Sequence, residues 1–246
     1  MGLKAAPEDQ ALLLELQEFD TRLQQLDHRL RTIPETARLA ELATANDTLR
    51  RSVAEQLGAL EDAQAELGRV ESDVAVVEAR IERDRGRLES SSSMKDVQAL
   101  EQELAALARR RDELEEIELV VMEKVEELEV ALSSIRLQLE AHETEVATTT
   151  EARDAAASAI EQDRARTAAD RATVAARVPA ELLALYEKQR ARYGAGASHL
   201  RGGVSSASGV ALNATDLGAV RAAAPDDVLL CPDSSAILVR TAESGL

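Results

Sequence analysis

The chain has 246 residues and a formal charge of −17, with 46 acidic side chains against 29 basic ones. Aromatic residues make up 1% of it, tryptophan is absent and 30% of residues are charged. A globular domain of this length buries several large rings, whereas a two-helix rod needs only a narrow aliphatic seam; the composition argues for the rod, and the charge against general binding to phosphate backbones.

The chain opens with a single lysine before Pro7, Glu8 and Asp9, and with no apolar signal core. Leu12, Leu16, Phe19, Leu23, Leu26, Leu30 and Ile33 then alternate steps of four and three, the heptad seam of a coiled coil. Pro34 interrupts it, because proline lacks an amide proton and disfavours helix in the residue before it. The seam resumes at Leu39, Leu42, Leu49, Val53 and Leu60 and runs on through Leu67, Val70, Val74, Val77, Ile81 and Leu88. Asn46 and Gln56 fall where it predicts apolar residues. Such insertions either fix register and strand number or are local imperfections.

Ser90 to Ser93 carry no seam, and Ser92 or Ser93 can cap a helix beginning at Met94, with Asp96 near its positive end. Residues 88–95 therefore read as a hairpin tip, with Ser91, Ser92, Ser93, Lys95 and Gln98 displayed there. The second arm follows Val97, Leu100, Leu104, Leu107, Leu114, Ile117, Val121, Val125, Leu128, Leu132, Ile135, Leu139 and Val146, with a stutter between Leu114 and Val125 that locally unwinds a supercoil. Beyond Val146 it thins to alanine and threonine around Ile160, Val174 and Val178. Small residues permit close approach, so residues 7–33 are expected to fold as a separate helix against 147–176. At ~1.5 Å per residue each arm reaches roughly 110 Å. Residues 1–178 thus form a coiled-coil hairpin kinked near 34, and residues 179–246 a second, smaller module.

Pro179 and Glu181 suit the start of a short helix, Leu182, Leu183, Leu185 and Tyr186 give it an apolar face, and Gly194 and Gly196 end it. Lys188, Arg190, Arg192, His199 and Arg201 make this neck basic, with Tyr186 and Tyr193 among them. Two readings stand: cations and rings that contact nucleic acid or another partner, or cations that favour the helix C-terminus and tyrosines that pack the helix down. Downstream, a strand is expected near Gly209–Leu212, a helix over Thr215–Ala222, and a hairpin of strands Val228–Cys231 and Ala236–Arg240 around Pro232–Ser235.

Residues 203–240 keep the spacing of two C-x-x-C knuckles, at Ser205-Ser206-Ala207-Ser208-Gly209 and Cys231-Pro232-Asp233-Ser234-Ser235. Four thiolates would close a tetrahedron around zinc, but three of the positions are serine, whose hydroxyl does not ionise near neutral pH. No metal or other cofactor is expected. Catalysis finds no support either. His28, His142 and His199 are far apart and belong to no motif, there is no phosphate-binding glycine loop, and pairs such as Glu115-Glu116 and Glu126-Glu127 lie on exposed helix faces. Cys231, the single cysteine, argues against a disulfide framework and has no activating neighbour in sequence. No run of ~18 uncharged apolar residues exists, so no membrane span is expected, and a cytoplasmic location follows.

Several stretches carry a resemblance: Lys95-Asp96-Val97-Gln98-Ala99-Leu100-Glu101 after the tip, Leu185-Tyr186-Glu187, Leu212-Asn213-Ala214-Thr215-Asp216-Leu217, Pro225-Asp226-Asp227-Val228, and Ile237-Leu238-Val239-Arg240. Over nearly its whole length the chain resembles the bacterial coiled-coil hairpin proteins that end in a four-cysteine zinc ribbon and are described as predicted nucleic-acid-binding proteins. The resemblance implies a mainly α fold, a long antiparallel coiled-coil hairpin with a small C-terminal β-rich, zinc-ribbon-like module. It puts the family's four metal positions on Ser205, Ser208, Cys231 and Ser234, and its usual following glycine on Ser235. Members in flagellated bacteria and chlamydiae are linked to an alternative sigma factor, and some to messenger RNA. A non-enzymatic adaptor or regulator that binds a protein through its hairpin is the expected function. The alternatives are a nucleic-acid-binding regulator using the basic neck and a structural, self-associating coiled coil; the chain is expected as a monomer or homodimer.

Overall fold

The computed structural model describes residues 2–246. Its elements are α1 (Pro7–Arg31), α2 (Pro34–Ser90), α3 (Met94–Ala175), α4 (Ala180–Tyr193), β1 (Ala197–Arg201), β2 (Val204–Ser205), α5 (Ala214–Ala222), β3 (Leu229–Leu230), β4 (Ile237–Val239) and a closing 3-10 turn, Ala242–Ser244. The fold is mainly α, a helical hairpin with a small C-terminal mixed sheet. Its residues gather into two compact units, Ala37–Glu151 and the pair of segments Met1–Thr36 and Ala152–Leu246.

The first unit is the antiparallel hairpin of α2 and α3. Leu42, Leu60 and Ile81 of α2 and Leu100, Leu114, Val121 and Leu132 of α3 are buried along the expected seam, and Ala63, which the heptad reading passes over, joins them. Ion pairs run in opposite chain directions along the two helices: Arg38 with Glu145 at 2.7 Å, Arg50 with Glu143 at 2.8 Å, then Arg80 with Glu103. They are solvent-exposed, where ion pairs add little, so the seam carries the stability and the charges mark the register. His142 joins the seam by donating from Nε2 to the Leu42 carbonyl oxygen at 3.0 Å, a structural role. At the tip, α2 stops at Ser90 and Ser93 caps α3, its Oγ accepting from the Asp96 amide at 3.4 Å.

The second unit is built around α1, the end of α3, α4 and the sheet. α1 ends where Pro34 requires: the Thr32 amide donates to the carbonyls of His28 and Arg29, and Pro34 opens α2. Leu26 and Ile33 pack on Ile160 beside Ala156 and Ala157, the expected pairing of large residues with small. Nearer its start α1 turns a different face inward. Leu13, Leu16 and Asp20 are buried, whereas Leu12 and Phe19 of the heptad reading are only partly so. A helix that meets both helices and a sheet buries a wider stripe than a coiled-coil seam does.

Leu13, Leu16, Val174, Val178, Leu182, Tyr186, Ala197, Ile237 and Val239 form one core. A boundary at residue 178 would cut through it, so the division expected there does not match the compact units: α1 and the last turns of α3 fold with the C-terminal module. In the sheet, order β2-β1-β4-β3, β1 runs parallel to β4 and antiparallel to β2, and β3 pairs antiparallel with β4. The expected hairpin is therefore β3–β4, with Leu229 opposite Leu238. Gly209–Leu212 is not a strand. Its backbone folds back on β2 through Ser205 N to Val210 O at 3.1 Å and Leu212 N to Gly203 O at 2.9 Å, leaving one bridge between Val204 and Ala211. α5 starts at its Asn213 cap, whose side chain accepts from the Asp216 amide. Arg240 closes its other end, donating to the carbonyls of Val220, Ala223, Ala224, Pro225 and Asp227, where the helix dipole is negative.

Candidate functional site

Sequence points to the neck and to the loops at the expected knuckle positions, and both lie in the unit formed by α1, the end of α3 and the C-terminal residues. At the neck, Tyr186 is fully buried and donates from its hydroxyl to Asp20 Oδ2 at 2.7 Å. Asp20, 2% exposed, also accepts two hydrogen bonds from Arg171, Nε to Oδ1 at 2.7 Å and Nη2 to Oδ2 at 3.1 Å. Arg190 stands 3.2 Å from the same carboxylate and 2.8 Å from Glu187, which Arg171 also holds. One buried acid thus ties α1 to α3 and α4. Burial raises the Tyr186 phenol above its ordinary value of 10.0, and its hydrogen bond to Asp20 raises it further. Arg171 is held more firmly protonated than usual by its bonds to Asp20, against the cost of burial. Burial pushes Glu187 up, but Arg171 and Arg190 outweigh it and leave its carboxyl below 4.5.

Tyr186 therefore cannot stack on a base: its ring is inside the core, pressed so closely on Gly196 that a Cβ there would lie 2.5 Å from it. The charge of Arg190 is committed to Asp20 and Glu187. Arg201 pairs with Glu243 at 2.7 Å on the surface, and His199 Nε2 bonds Thr241 Oγ1 at 2.7 Å. Lys188, Arg192 and Tyr193 remain exposed, the Arg192 guanidinium 5.2 Å from the Tyr193 ring centre. The structure does not bring the basic residues into one patch. His199, Arg201 and Ser206 instead line a cleft of about 430 Å³ with Leu14, Gln17 and Glu18 of α1.

The knuckle positions form two loops of matching geometry. In one, Gly209 N donates to Ser205 O at 2.8 Å and Ser205 N to Val210 O at 3.1 Å; in the other, Ser235 N donates to Cys231 O at 2.9 Å and Cys231 N to Ala236 O at 2.8 Å. The fifth residue of each is left-handed, Gly209 at φ 68° and Ser235 at φ 59°. The fourth residue of each accepts from an amide two places on, Ser208 from Val210 at 3.2 Å and Ser234 from Ala236 at 3.4 Å. Ser205 and Cys231 meet between the loops, Sγ to Oγ 3.3 Å, and both are buried. Ser205 is 2.6 Å from Ser198 Oγ, which accepts from the Ala207 amide at 3.1 Å.

The sequence resemblance implies zinc at these four positions, and the groups present do not fit it. Three neutral hydroxyls and one thiol are a poor set for an ion that prefers thiolate and imidazole, and the hydroxyls are spent on Ser198, on the Cys231 thiol and on turn amides. Burial pushes the Cys231 thiol up, but the hydroxyls of Ser205 and Ser234 and nearby amides outweigh it and set the thiol below 9.0. Among the described residues no three His, Cys, Asp or Glu side chains gather as a metal site elsewhere. Sequence reasoning missed Ser198, Asp20 and Arg171. Asp20 had a visible signal, since it continues the inward stripe of Leu13 and Leu16 by one helical turn; Ser198 had none, because its strand is made by a distant partner.

A two-helix coiled-coil hairpin with a small mixed sheet is the class that this fold defines. The model of the CT398-like coiled coil hairpin domain matches residues 16–194, and the chain belongs to that family. It is 33% identical over 239 residues to the uncharacterized protein Rv2229c of Mycobacterium tuberculosis, covering 97% of this chain and 98% of that one. A solved structure from Mycobacterium smegmatis is similar at TM-score 0.84 and 36% identity, over 97% of this chain and 100% of that one. The structure of CT398 from Chlamydia trachomatis shares the fold at TM-score 0.63 and 21% identity, over 94% and 97% of the two chains.

Proposed function

We propose that this protein is a non-catalytic cytoplasmic adaptor that binds a protein partner on its coiled-coil hairpin, with a C-terminal module of zinc-ribbon descent held by hydrogen-bonded serines in place of metal. The observation that carries the reading lies in the hairpin unit. Its seam is filled, yet Leu119, Val130 and Leu137 of α3 stay 61–71% exposed. Single exposed apolar residues are ordinary, but a row of them on one helix is characteristic of an interface. Catalysis is disfavoured because His142 and His199 are already engaged and Cys231 is buried. The matched loops support the ribbon descent, their backbone bonds being those that two metal knuckles would use.

A second reading, nucleic-acid binding at the neck, draws on exposed Lys188, Arg192 and Tyr193 and works against a net charge of −17. Two measurements separate them. Full-length protein purified from its native cells with nuclease treatment is expected to retain a protein partner. Sub-micromolar RNA or DNA affinity that falls steeply with salt, with no nuclease-resistant partner, would replace the adaptor reading with the second.

A further inference from the structure

The adaptor reading leaves open which face binds and what it recognises; the inference below rests on that reading and deepens it. Leu119 and Leu137 are 18 residues apart on α3, five helical turns, so they project in the same direction, and Val130 lies within ~20° of them. Val121 and Leu132, each two residues further along, fall on the opposite side and are buried in the seam. The exposed line is therefore a second apolar stripe on the outer face of α3, roughly 27 Å long at the helical rise. It is not a frayed edge of the seam.

Carboxylates border this stripe, and one of them, Glu126, falls within ~20° of its line between Leu119 and Val130. Glu116, Glu123, Glu126, Glu127 and Glu140 are exposed and make no ion pair among the described residues. Glu123, Glu126, Glu127 and Val130 line a shallow hollow of about 450 Å³. Of the nearest cations, Lys124 lies 3.9 Å from Glu66 of α2 and Arg111 pairs with Asp112 and Glu115, while Arg136, beside Leu137, shares a hollow with Glu129 and Glu140 at the far end of the stripe. An apolar line with unpaired negative charge on both flanks selects its occupant. A second copy of the same face would set carboxylates against carboxylates, and anionic lipid or nucleic acid is repelled for the same reason.

We propose that the outer face of α3 from Leu119 to Leu137 docks a cationic amphipathic helix of a partner protein, about five turns long, its apolar residues on the stripe and its lysines or arginines on the flanking glutamates. The probe is a labelled 20-residue helical peptide with leucines at i, i+3/i+4 and i+7 and lysines beside them. Its controls are a scrambled isomer of equal charge and a version carrying glutamate for lysine. Anisotropy titration against the full-length protein at physiological salt is expected to show the amphipathic cationic peptide binding at least tenfold more tightly than either control. The variant Leu119→Ser/Val130→Ser/Leu137→Ser is expected to weaken it at least tenfold while keeping the wild-type helical content and Tm, since all three side chains are in solvent. Equal binding by the scrambled isomer, or affinity unchanged in the triple variant, overturns the proposal. Sedimentation that shows a wild-type dimer abolished by the triple variant also overturns it, by making a second copy the occupant. Photo-crosslinkers placed along the hairpin in cells distinguish this failure from that of the adaptor reading. Protein adducts elsewhere on the hairpin but none at 119, 130 or 137 refute only the site, whereas no protein adduct at any position refutes both.

Discussion

Replacing Asp20 tests the physical account of the neck most sharply. Asp20→Ala removes a carboxylate that is 2% exposed and accepts from Arg171 twice and from the Tyr186 hydroxyl, with Arg190 alongside. Hydrogen bonds to charged groups contribute about 1.5–3 kcal/mol each, but those to one acceptor do not add. Breaking a buried ion pair from one side costs about 3–5 kcal/mol, because the partner charge is left without compensation. Arg171 keeps Glu187 and is 19% exposed, so it can partly rehydrate. The low end applies, about 3 kcal/mol, or a fall in Tm on the order of 10 °C. Asp20→Asn should lose less, because its carbonyl still accepts from Tyr186, and Tyr186→Phe should lose about 1 kcal/mol. Thermal and urea unfolding followed by circular dichroism measure all three. A loss below about 1 kcal/mol for Asp20→Ala would refute the claim that this acid pins α1 to α3 and α4.

The same cluster sets a pH dependence. Glu187 is held below its ordinary value of 4.5, so its stabilisation is complete above that pH and is lost as pH falls through the lower folded value. Tyr186 is raised above 10.0, so its contribution is intact below pH 10.0 and is lost above it as the unfolded phenol ionises. Tm measured across pH should decline at both ends, and Glu187→Gln should flatten the acid limb; an unchanged acid limb in that variant contradicts the assignment. Ser235 sits at φ 59°, which costs a non-glycine residue about 1–2 kcal/mol. Since glycine costs about 0.5–1 kcal/mol in unfolded-chain entropy, Ser235→Gly should stabilise by about 0.5–1 kcal/mol, and a lowered Tm would contradict the strain. Elemental analysis should find no stoichiometric zinc in the purified protein, and chelator should leave Tm unchanged. Ser205→Cys/Ser208→Cys/Ser234→Cys should bind one zinc, because the two loops already hold the four positions; one zinc per wild-type chain would overturn the reading.

Heptad spacing, the break at Pro34 and the serine tip are local or periodic signals, and the hairpin was legible from them. The matched loops were legible for a related reason, since turn residues at fixed offsets dictate their own hydrogen bonds. The strand Ala197–Arg201 was not. It follows two glycines and becomes a strand only because Ile237–Val239, 40 residues later, lies parallel beside it. The basic neck stayed open between two readings because sequence places cations near one another but does not show which carboxylates reach them. Arg190 is taken by Asp20 from α1 and Arg201 by Glu243 beyond the sheet. Of the two readings of Tyr186, base stacking and packing of the helix, the structure supports packing: the ring anchors the core on Gly196, a contact that depends on tertiary structure.

The central claim is that the hairpin binds a protein partner on the outer face of α3. A photo-crosslinking residue at position 130, activated in native cells, tests it most directly, because that side chain is 71% exposed and plays no part in the seam. The account predicts a discrete adduct that resists nuclease and is removed by protease. An adduct removed by nuclease, or one whose crosslinked peptide maps to a second copy of this chain, would contradict it.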